Sequence, residues 1–195
     1  MAIEFIIPTH SRTDLLMACI SSIVGQTNPN WKIRVVADGP TEEVKEQLSR
    51  IAGYYEDDDR IKWTILDERH NDWGHTPRNV GLAAATEEWV VMTGEDNYYT
   101  PIFVEEFLKH SKGKIAMYCN MTHNWVQQDY IPISCELKYG HIDIGNFVFK
   151  RKFAGNLRLI TTYAQSDWAF IERYMQINSS FGEAIKIDKI LYVHN

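Results

Sequence analysis

The stretch that decides the fold is residues 3–12, which read IEFIIPTHSR. It is an apolar run of strand length that ends in a proline and a group of polar side chains. An amphipathic segment follows at Thr13 to Val24, with its apolar residues at helical spacing, and a second apolar run spans Lys32 to Ala37. A strand, a helix and a strand in this order predict the start of a parallel sheet with helices packed on its faces.

The alternation continues to about residue 100 and then changes. Thr41 precedes Glu42 and Glu43, a pattern typical of a helix start. We predict further strands at Ile61–Leu66, Glu88–Met92, Ile115–Cys119 and Lys189–Val193, and further helices at Thr76–Ala85 and Phe103–His110. No repeat or linker divides the chain. The sequence therefore predicts one α/β domain over residues 1–195, with a mainly parallel central sheet flanked by helices and a mixed second half.

The composition limits the classes of function. Of the 195 residues, 45% are hydrophobic and 24% are charged, which suits one compact folded domain. Lys and Arg number 20 against 26 for Asp and Glu, giving a formal net charge of −6. Because no dense basic cluster is present, we expect no nucleic-acid partner and look for small ligands instead.

The cysteines and the first residues bear on the compartment. The three cysteines, at positions 19, 119 and 135, are odd in number and form no C-x-x-C pair, which favours a reducing environment. Charged residues at positions 4, 12 and 14 interrupt what would have to be the apolar part of a signal peptide. No window reaches the roughly 18 apolar residues of a membrane span. We therefore expect a cytoplasmic protein.

Polar clusters follow three of the predicted strands. They are Thr9–Arg12 after the first strand, Asp38 with Gly39 after the second, and Gly94–Asn97 after the fourth. The carboxyl ends of parallel strands meet at one edge of a sheet, so the clusters are predicted to share one crevice. Hydrogen-bonding groups, an arginine and adjacent carboxylates suit a nucleotide with a divalent cation. The glycine-rich signatures of dinucleotide folds and P-loops, and the zinc motif H-E-x-x-H, are absent from the sequence.

Four segments of the first hundred residues form a wider pattern. They read IIPTHSR at 6–12, VVADG at 35–39, GHTPRNVGL at 74–82 and MTGEDN at 92–97. Together they resemble family 2 glycosyltransferases of the GT-A fold, which have Pro-Thr-aromatic-x-Arg, a strand ending in a nucleotide-binding aspartate, Gly-x-x-x-Ala-Arg-Asn-x-Gly and an Asp-x-Asp metal signature. The resemblance implies a GT-A-like domain in which about residues 1–99 bind a nucleotide sugar and about residues 100–195 bind the acceptor.

The resemblance also implies particular site residues. Those for the nucleotide sugar are Pro8, Thr9, His10, Arg12, Asp38, Arg78, Asn79, Glu95 and Asp96. It further implies Mn²⁺ or Mg²⁺ bound to Asp96, with His194 as an additional ligand. The signature here is Glu95-Asp96-Asn97 and ends in an amide, so which of the two carboxylates contacts the metal stays open.

The second half supplies the candidate base. Asp167 opens an amphipathic stretch from Ser166 to Met175 and resembles the family's catalytic aspartate before the acceptor helix. Ordinary capping is the alternative, because Ser and Asp are common at helix starts, and Glu172 is the reserve candidate for the base. The residues expected on the acceptor side are Trp168 and Gly145, and the aromatic residues Trp125 and Tyr139 are further candidates for stacking on sugar rings.

The implied function is that of an inverting glycosyltransferase, which moves a sugar from a nucleotide diphosphate sugar, with UDP favoured, to a hydroxyl of a glycan or other acceptor. Two other classes stay open. A catalytically inactive nucleotide-sugar or carbohydrate binding module would have Asp167 facing away from the crevice of Asp96. A sugar-phosphate nucleotidyltransferase shares the layout but needs a Gly-rich, basic segment after the first strand, which this sequence lacks.

Overall fold

The computed structural model describes residues 1–124 and 129–195. The elements in the first half of the chain are β1 (Ile3–Thr9), α1 (Thr13–Val24), β2 (Trp31–Ala37), α2 (Glu42–Gly53), β3 (Ile61–Ile65), α3 (His75–Ala84), β4 (Trp89–Met92) and β5 (Tyr98–Tyr99). Those in the second half are α4 (Phe103–His110), β6 (Ala116–Asn124), β7 (Tyr130–Ile133), β8 (Phe147–Lys150), α5 (Arg151–Ala154), α6 (Ser166–Asn178) and β9 (Ala184–His194). A single 3-10 turn at Ile144–Asn146 precedes β8.

The strands form one mixed sheet in the order β3-β2-β1-β4-β8-β6-β9-β5, with β7 paired to β6. The first four strands are parallel to one another. In the second half, β8 is antiparallel to β4 and β6, while β9 is parallel to β6 and antiparallel to β5. The prediction of an α/β fold with a mainly parallel sheet and a mixed second half is confirmed.

The strand β1 lies inside the parallel part of the sheet, and all of its residues are buried. Ile3, Phe5 and Ile7 pack into a cluster shared with α1, whereas Ile6 packs into a cluster shared with α3 and α6. Successive side chains of a strand point to opposite faces, so β1 needs apolar residues throughout to pack against helices on both sides. This two-sided packing fixes the position of the end of β1, and the chain leaves the sheet after Thr9.

The predicted elements of the first half agree with the structure to within one residue at each end. The short strand β5 was not predicted. The second half differs more, because β9 begins at Ala184 rather than Lys189, and β7, β8 and α5 were not predicted. The charged residues Lys186, Asp188 and Lys189 interrupt the apolar pattern of β9. A register shift opposite Asn120 leaves Asp188 and Lys189 without partners in the β6–β9 ladder, and the Asn120 amide donates to the carboxylate of Asp188 over 2.8 Å.

Two glycines allow backbone segments to approach closely. A Cβ at Gly81 in α3 would lie 2.3 Å from Cγ2 of Ile6, and a Cβ at Gly39 would lie 2.2 Å from the backbone N of Arg69. Gly39 also has a left-handed φ of +52°, which favours glycine. The first contact sets the distance between α3 and β1, and the second brings the segment after β3 against the end of β2.

The helices can also be judged as candidates for membrane insertion. Within residues 1–124 and 129–195, none combines the length and the apolar character that crossing a membrane requires. The three cysteines are free thiols, and all three are buried.

Candidate active site

A cavity of about 420 Å³ lies beyond the carboxyl ends of the parallel strands, where open α/β sheets bind their ligands. Its walls come from the ends of β1, β2, β4 and β9 and from the starts of α3 and α6. The predicted site residues that line it are Pro8, Thr9, His10, Arg12, Asp38, Arg78, Glu95, Asp96, Asp167 and His194. The fold therefore brings candidates from both halves of the chain to one place.

Arg12 joins the two carboxylates that follow β4. Its Nε lies 2.7 Å from Oε1 of Glu95, and its Nη1 lies 2.6 Å from Oδ2 of Asp96. The backbone N–H of His10 also donates to Oε2 of Glu95 over 3.3 Å. The carboxylate of Glu95 is almost fully buried, whereas the side chain of Arg12 is half-exposed. The acidic segment after β4 is thus arranged around one positive charge.

Asp38 holds the segment that follows β3. Its carboxylate accepts hydrogen bonds from the backbone N–H groups of His70, at 3.1 Å, and Asn71, at 3.3 Å, and lies 2.8 Å from Nδ1 of His70. The hydrogen bond to Asp38 raises the pKa of His70. Asp38 therefore fixes residues 69–74 at the edge of the cavity.

Arg78 lies in the first turn of α3 with its side chain largely buried. Its Nε donates to the carbonyl of Thr93 over 3.1 Å, and its Nη1 donates to the carbonyl of Trp73 over 2.9 Å. A guanidinium has five N–H donors, so these two bonds leave donors for a ligand. The positive end of the helix dipole adds to its charge. The arrangement suits an anionic group such as a phosphate.

Asp167 lies at the start of α6, and its Oδ1 is buried without a hydrogen-bond partner. The helix begins without a side-chain capping bond, so α6 gains none from Asp167. Burial raises the pKa of Asp167 to about 6; the charge of Asp143 acts in the same direction, and Arg78 and His194 oppose it. This carboxylate is ionised at neutral pH and accepts a proton more readily than an ordinary aspartate.

Asp143 is a site residue that the sequence analysis missed. It lines the cavity, and its Oδ1 accepts from the backbone N–H of Gly145 and from the hydroxyl of Tyr192, both over 2.7 Å. Its Oδ2 lies 3.5 Å from Nε2 of His194. The sequence signal for Asp143 was its position two residues before Gly145, which is a common turn pattern and does not indicate a site. Asp143 connects the 3-10 turn to β9 and places a negative charge that acts on Asp167.

Asn79 does not line the cavity, although the resemblance implied a contact with the nucleotide sugar. Its Nδ2 donates to the carbonyl of Leu159 over 2.9 Å, and its Oδ1 accepts from the N–H of Leu159 over 2.8 Å. Both polar atoms of the amide are therefore used within the protein. Asn79 links α3 to the segment before α6, and its contact with the nucleotide sugar stays a prediction.

The candidates for the acceptor side also lie away from the cavity lining. Trp168 packs against the core cluster shared by α3 and α6, and Gly145 is buried, with the Tyr192 hydroxyl directly above it. Tyr139 is exposed elsewhere on the surface. The contacts of Trp168 and Gly145 with an acceptor stay predictions. Trp125 lies outside the described residues.

The acidic segment after β4 suits a hard divalent cation. The guanidinium of Arg12 lies between the carboxylates of Glu95 and Asp96 as a stand-in for such an ion. Mg²⁺ and Mn²⁺ bind oxygen atoms, commonly one or two carboxylates together with substrate phosphates. Within the described parts of the chain, no three His, Cys, Asp or Glu side chains form a metal site by themselves. A cation at this position would therefore also need oxygen atoms from water or from a bound substrate.

Comparison with known proteins identifies the class to which this fold and cavity belong. The model of glycosyl transferase family 2 matches residues 4–175, and the chain therefore belongs to this family. The prediction made from the four sequence segments is confirmed.

Individual relatives support the same assignment. The chain is 22% identical over 211 aligned positions to the putative colanic acid biosynthesis glycosyl transferase WcaA of Escherichia coli strain K12, covering 99% of this chain and 73% of WcaA. It spans 17% and 20% of the lengths of two uncharacterized Rickettsia glycosyltransferases that it also matches. This chain thus corresponds to a part of those longer relatives.

Solved structures agree with the fold. The S. aureus TarS 1–349 structure superimposes with a TM-score of 0.78 at 17% identity, covering 100% of this chain and 60% of that one. The mannosyltransferase PcManGT from Pyrobaculum calidifontis, in complex with GDP-Man and Mn²⁺, superimposes with a TM-score of 0.72 at 18% identity, covering 98% and 56%. The GT-A-like architecture implied by the sequence is confirmed by these superpositions.

Proposed function

We propose that this chain transfers a sugar from a nucleotide diphosphate sugar, preferably a UDP-sugar, to a hydroxyl group, with inversion at the anomeric carbon and with a divalent cation. One observation carries the proposal: Asp96 and Asp167, which are 71 residues apart in the sequence, line the same cavity. One carboxylate faces a positive charge, and the other has a buried oxygen with no hydrogen-bond partner. A transferase of this kind needs a group of each sort.

Asp167 is the general base in this proposal. The acceptor hydroxyl gives its proton to Asp167, its oxygen bonds to the anomeric carbon, and the bond from that carbon to the diphosphate oxygen breaks. The nucleoside diphosphate leaves with the electron pair, so a single displacement inverts the anomeric carbon. The unpartnered Oδ1 is available for the proton, and the raised pKa of Asp167 strengthens it as a base.

The donor is held by the strand ends and by α3. Arg78 binds the diphosphate, while residues 8–12 and Asp38 surround the nucleoside. TarS structures contain UDP and UDP-GlcNAc, and the mannosyltransferase structure contains GDP-Man. These ligands support a nucleotide diphosphate sugar as the donor of this chain, and the TarS ligands favour uridine.

Asp96 is the proposed cation ligand, with Glu95 as the alternative carboxylate and His194 as a further ligand. When bound, the ion acts as a Lewis acid that neutralises charge on the leaving diphosphate. The Mn²⁺ in the mannosyltransferase structure supports this choice of ion. Arg12 competes with the cation for Oδ2 of Asp96, because its Nη1 is paired with this oxygen at 2.6 Å.

An inactive binding module is the other function considered. It predicts that Asp167 faces away from the Asp96 crevice, so that no carboxylate lies near the acceptor. Both residues instead line one cavity, and this placement favours the enzyme.

The test is a donor-hydrolysis screen over UDP-, GDP-, ADP-, CMP- and dTDP-linked sugars, with and without Mn²⁺. We expect one class to be cleaved only with Mn²⁺, and Asp96→Ala to reduce the rate by about two to three orders of magnitude. Asp57→Ala, at an exposed aspartate outside the cavity, is the matched control and should keep full activity. Turnover without metal, or an undiminished rate in Asp96→Ala, would contradict the proposal.

A further inference from the structure

Trp73 stands out among the residues that line the cavity. Its side chain is 61% exposed, and among the described residues it is the one large apolar side chain that is both exposed and part of the cavity wall. Its backbone is left-handed, with φ at 58°, and apart from glycine only Asn71, at 53°, shares this conformation within the described residues. Tryptophan is thus found where both its burial and its backbone are unfavourable.

Several hydrogen bonds hold this backbone in place. The carboxylate of Asp38 accepts from the N–H of Asn71 over 3.3 Å, and Nη1 of Arg78 donates to the carbonyl of Trp73 over 2.9 Å. Between them, Oδ2 of Asp72 accepts from the N–H of Thr76 over 2.9 Å. The segment from Asn71 to Thr76 is therefore fixed to the end of β2 and to the start of α3.

The fold gains little from tryptophan at this position. A left-handed conformation is costly for a residue with a large side chain, and glycine or asparagine adopts it more easily. The exposed indole also buries little apolar area. Unusual backbone conformations of this kind occur at ligand sites, where the surrounding structure holds them. The indole is therefore explained better by a ligand than by the stability of the fold.

We propose that the indole of Trp73 is a stacking platform for the nucleobase of the donor. This inference rests on the proposed function. Asn71, two residues before Trp73, is tied to Asp38, and Gly74 next to Trp73 lies against Pro8, so we place the indole beside the residues that are proposed to surround the nucleoside. The sugar lies at the other end, between Asp96 and Asp167. A planar indole and a planar base are matched in shape and in polarisability.

Stacking has a distinct signature. Every nucleobase has a π face, so an aromatic platform adds affinity with little choice between bases. Choice comes from hydrogen bonds to the base edge, which Trp73 does not supply. Removal of the indole should therefore weaken the binding of every nucleotide that the protein accepts by a similar factor.

The experiment is a calorimetric and fluorescence titration of wild-type protein and Trp73→Ala with UDP, CDP, dTDP, ADP and GDP in the presence of Mn²⁺. Trp73→Ala should lower the affinity for each bound nucleotide about 5- to 150-fold, the range that loss of one base–aromatic stack implies. Nucleotide-dependent quenching of tryptophan fluorescence should disappear in the variant. Trp73→Phe should keep most of the affinity, and Tyr54→Ala, at an exposed aromatic outside the cavity, should keep all of it.

A second variant separates binding from folding. Trp73→Asn replaces the indole with a residue that tolerates a left-handed backbone, so its Tm should equal or exceed that of the wild type while nucleotide affinity falls. A Tm lowered by more than about 4 °C, which is roughly 1 kcal/mol for a chain of this size, would show that Trp73 serves the fold and would overturn the proposal.

The remaining outcomes are also decisive. Unchanged nucleotide affinity in Trp73→Ala overturns the stacking role and leaves the proposed function standing. A loss of affinity for the UDP-sugar without a loss for UDP places the indole on the sugar and overturns the nucleobase assignment. If the wild type binds none of the five nucleotides, the proposed function fails first, and the platform fails with it.

Discussion

Asp96 and Asp167 are the same chemical group at two places in one cavity, and their surroundings differ. Oδ2 of Asp96 lies 2.6 Å from the guanidinium of Arg12, whereas Oδ1 of Asp167 is buried with no hydrogen-bond partner. Burial raises the pKa of Asp167 to about 6. In the proposed function it is this difference in environment, and not the residue type, that separates the cation ligand from the base.

The contrast between Asp96 and Asp167 would be wrong if transfer did not need an ionisable group at position 167. Asp167→Asn keeps the size of the side chain but cannot accept a proton, so we expect transfer to fall by about 10²- to 10⁴-fold. Nucleotide affinity, measured by calorimetry, should stay unchanged. Glu172→Gln, the exposed reserve candidate on the same helix, is the matched control and should keep its activity. Loss in Glu172→Gln with retention in Asp167→Asn would move the base.

The pH dependence of the rate sharpens the same contrast. Because the pKa of Asp167 is raised to about 6, kcat/KM should fall tenfold per unit as the pH drops below that value. Asp143→Asn removes a charge that helps to raise this pKa, so its acid limb should shift to lower pH. Rate profiles between about pH 4.5 and pH 8 measure both effects. An acid limb that stays in place or shifts to higher pH would argue against the coupling.

The same pKa makes a prediction about stability. A carboxyl group whose folded pKa is above its unfolded value binds more protons in the folded state, so its stabilising contribution is lost as the pH rises from about 4 to about 6. Above pH 6 the ionised, buried carboxylate is a cost, and Asp167→Asn should raise the free energy of unfolding by about 1–3 kcal/mol. Near pH 4 the gain should vanish. Denaturant unfolding at both pH values measures it, and a destabilised variant at pH 7.5 would refute the assigned environment.

The smallest expected effect is on the binding of Mn²⁺ by Asp96, which is paired with Arg12. Arg12→Gln removes the charge that competes for Asp96, so the affinity for Mn²⁺ without donor should rise, by up to about fivefold for a partly exposed ion pair. Manganese titration followed by electron paramagnetic resonance measures it. Arg50→Gln removes an equal charge from an exposed arginine paired with Glu46 and should change nothing. Weaker Mn²⁺ binding in Arg12→Gln would show that the arginine supports the cation site instead of occupying it.

The parallel half of the fold was predictable because each of its elements is specified locally. β1 is apolar throughout since it is buried on both faces, and the polar residues after it mark the strand end where ligands bind. In the second half, β9 carries Asp188 and Lys189, which lie in the register shift opposite Asn120, more than 60 residues away in the sequence. Local patterns do not contain such information.

The same distinction applies to the site. The residues at the strand ends could be predicted as a group, because the topology of a parallel sheet brings them together. Asp143 was missed since its place in the cavity depends on Tyr192 and His194. Trp73 was missed because its left-handed backbone is held by Asp38 and Arg78, and nothing in the neighbouring sequence predicts that conformation.

The paired hydrogen bonds between Asn79 and Leu159 have a mechanical consequence. An amide that bonds to both the N–H and the carbonyl of one residue imitates the pairing of two strands, so it fixes both distance and orientation. It clamps the helix of Arg78 to the segment that leads to Asp167. A glutamine here would be one methylene too long to hold the same spacing. In the proposed function, this link would keep the leaving group at Arg78 and the incoming oxygen at Asp167 in alignment.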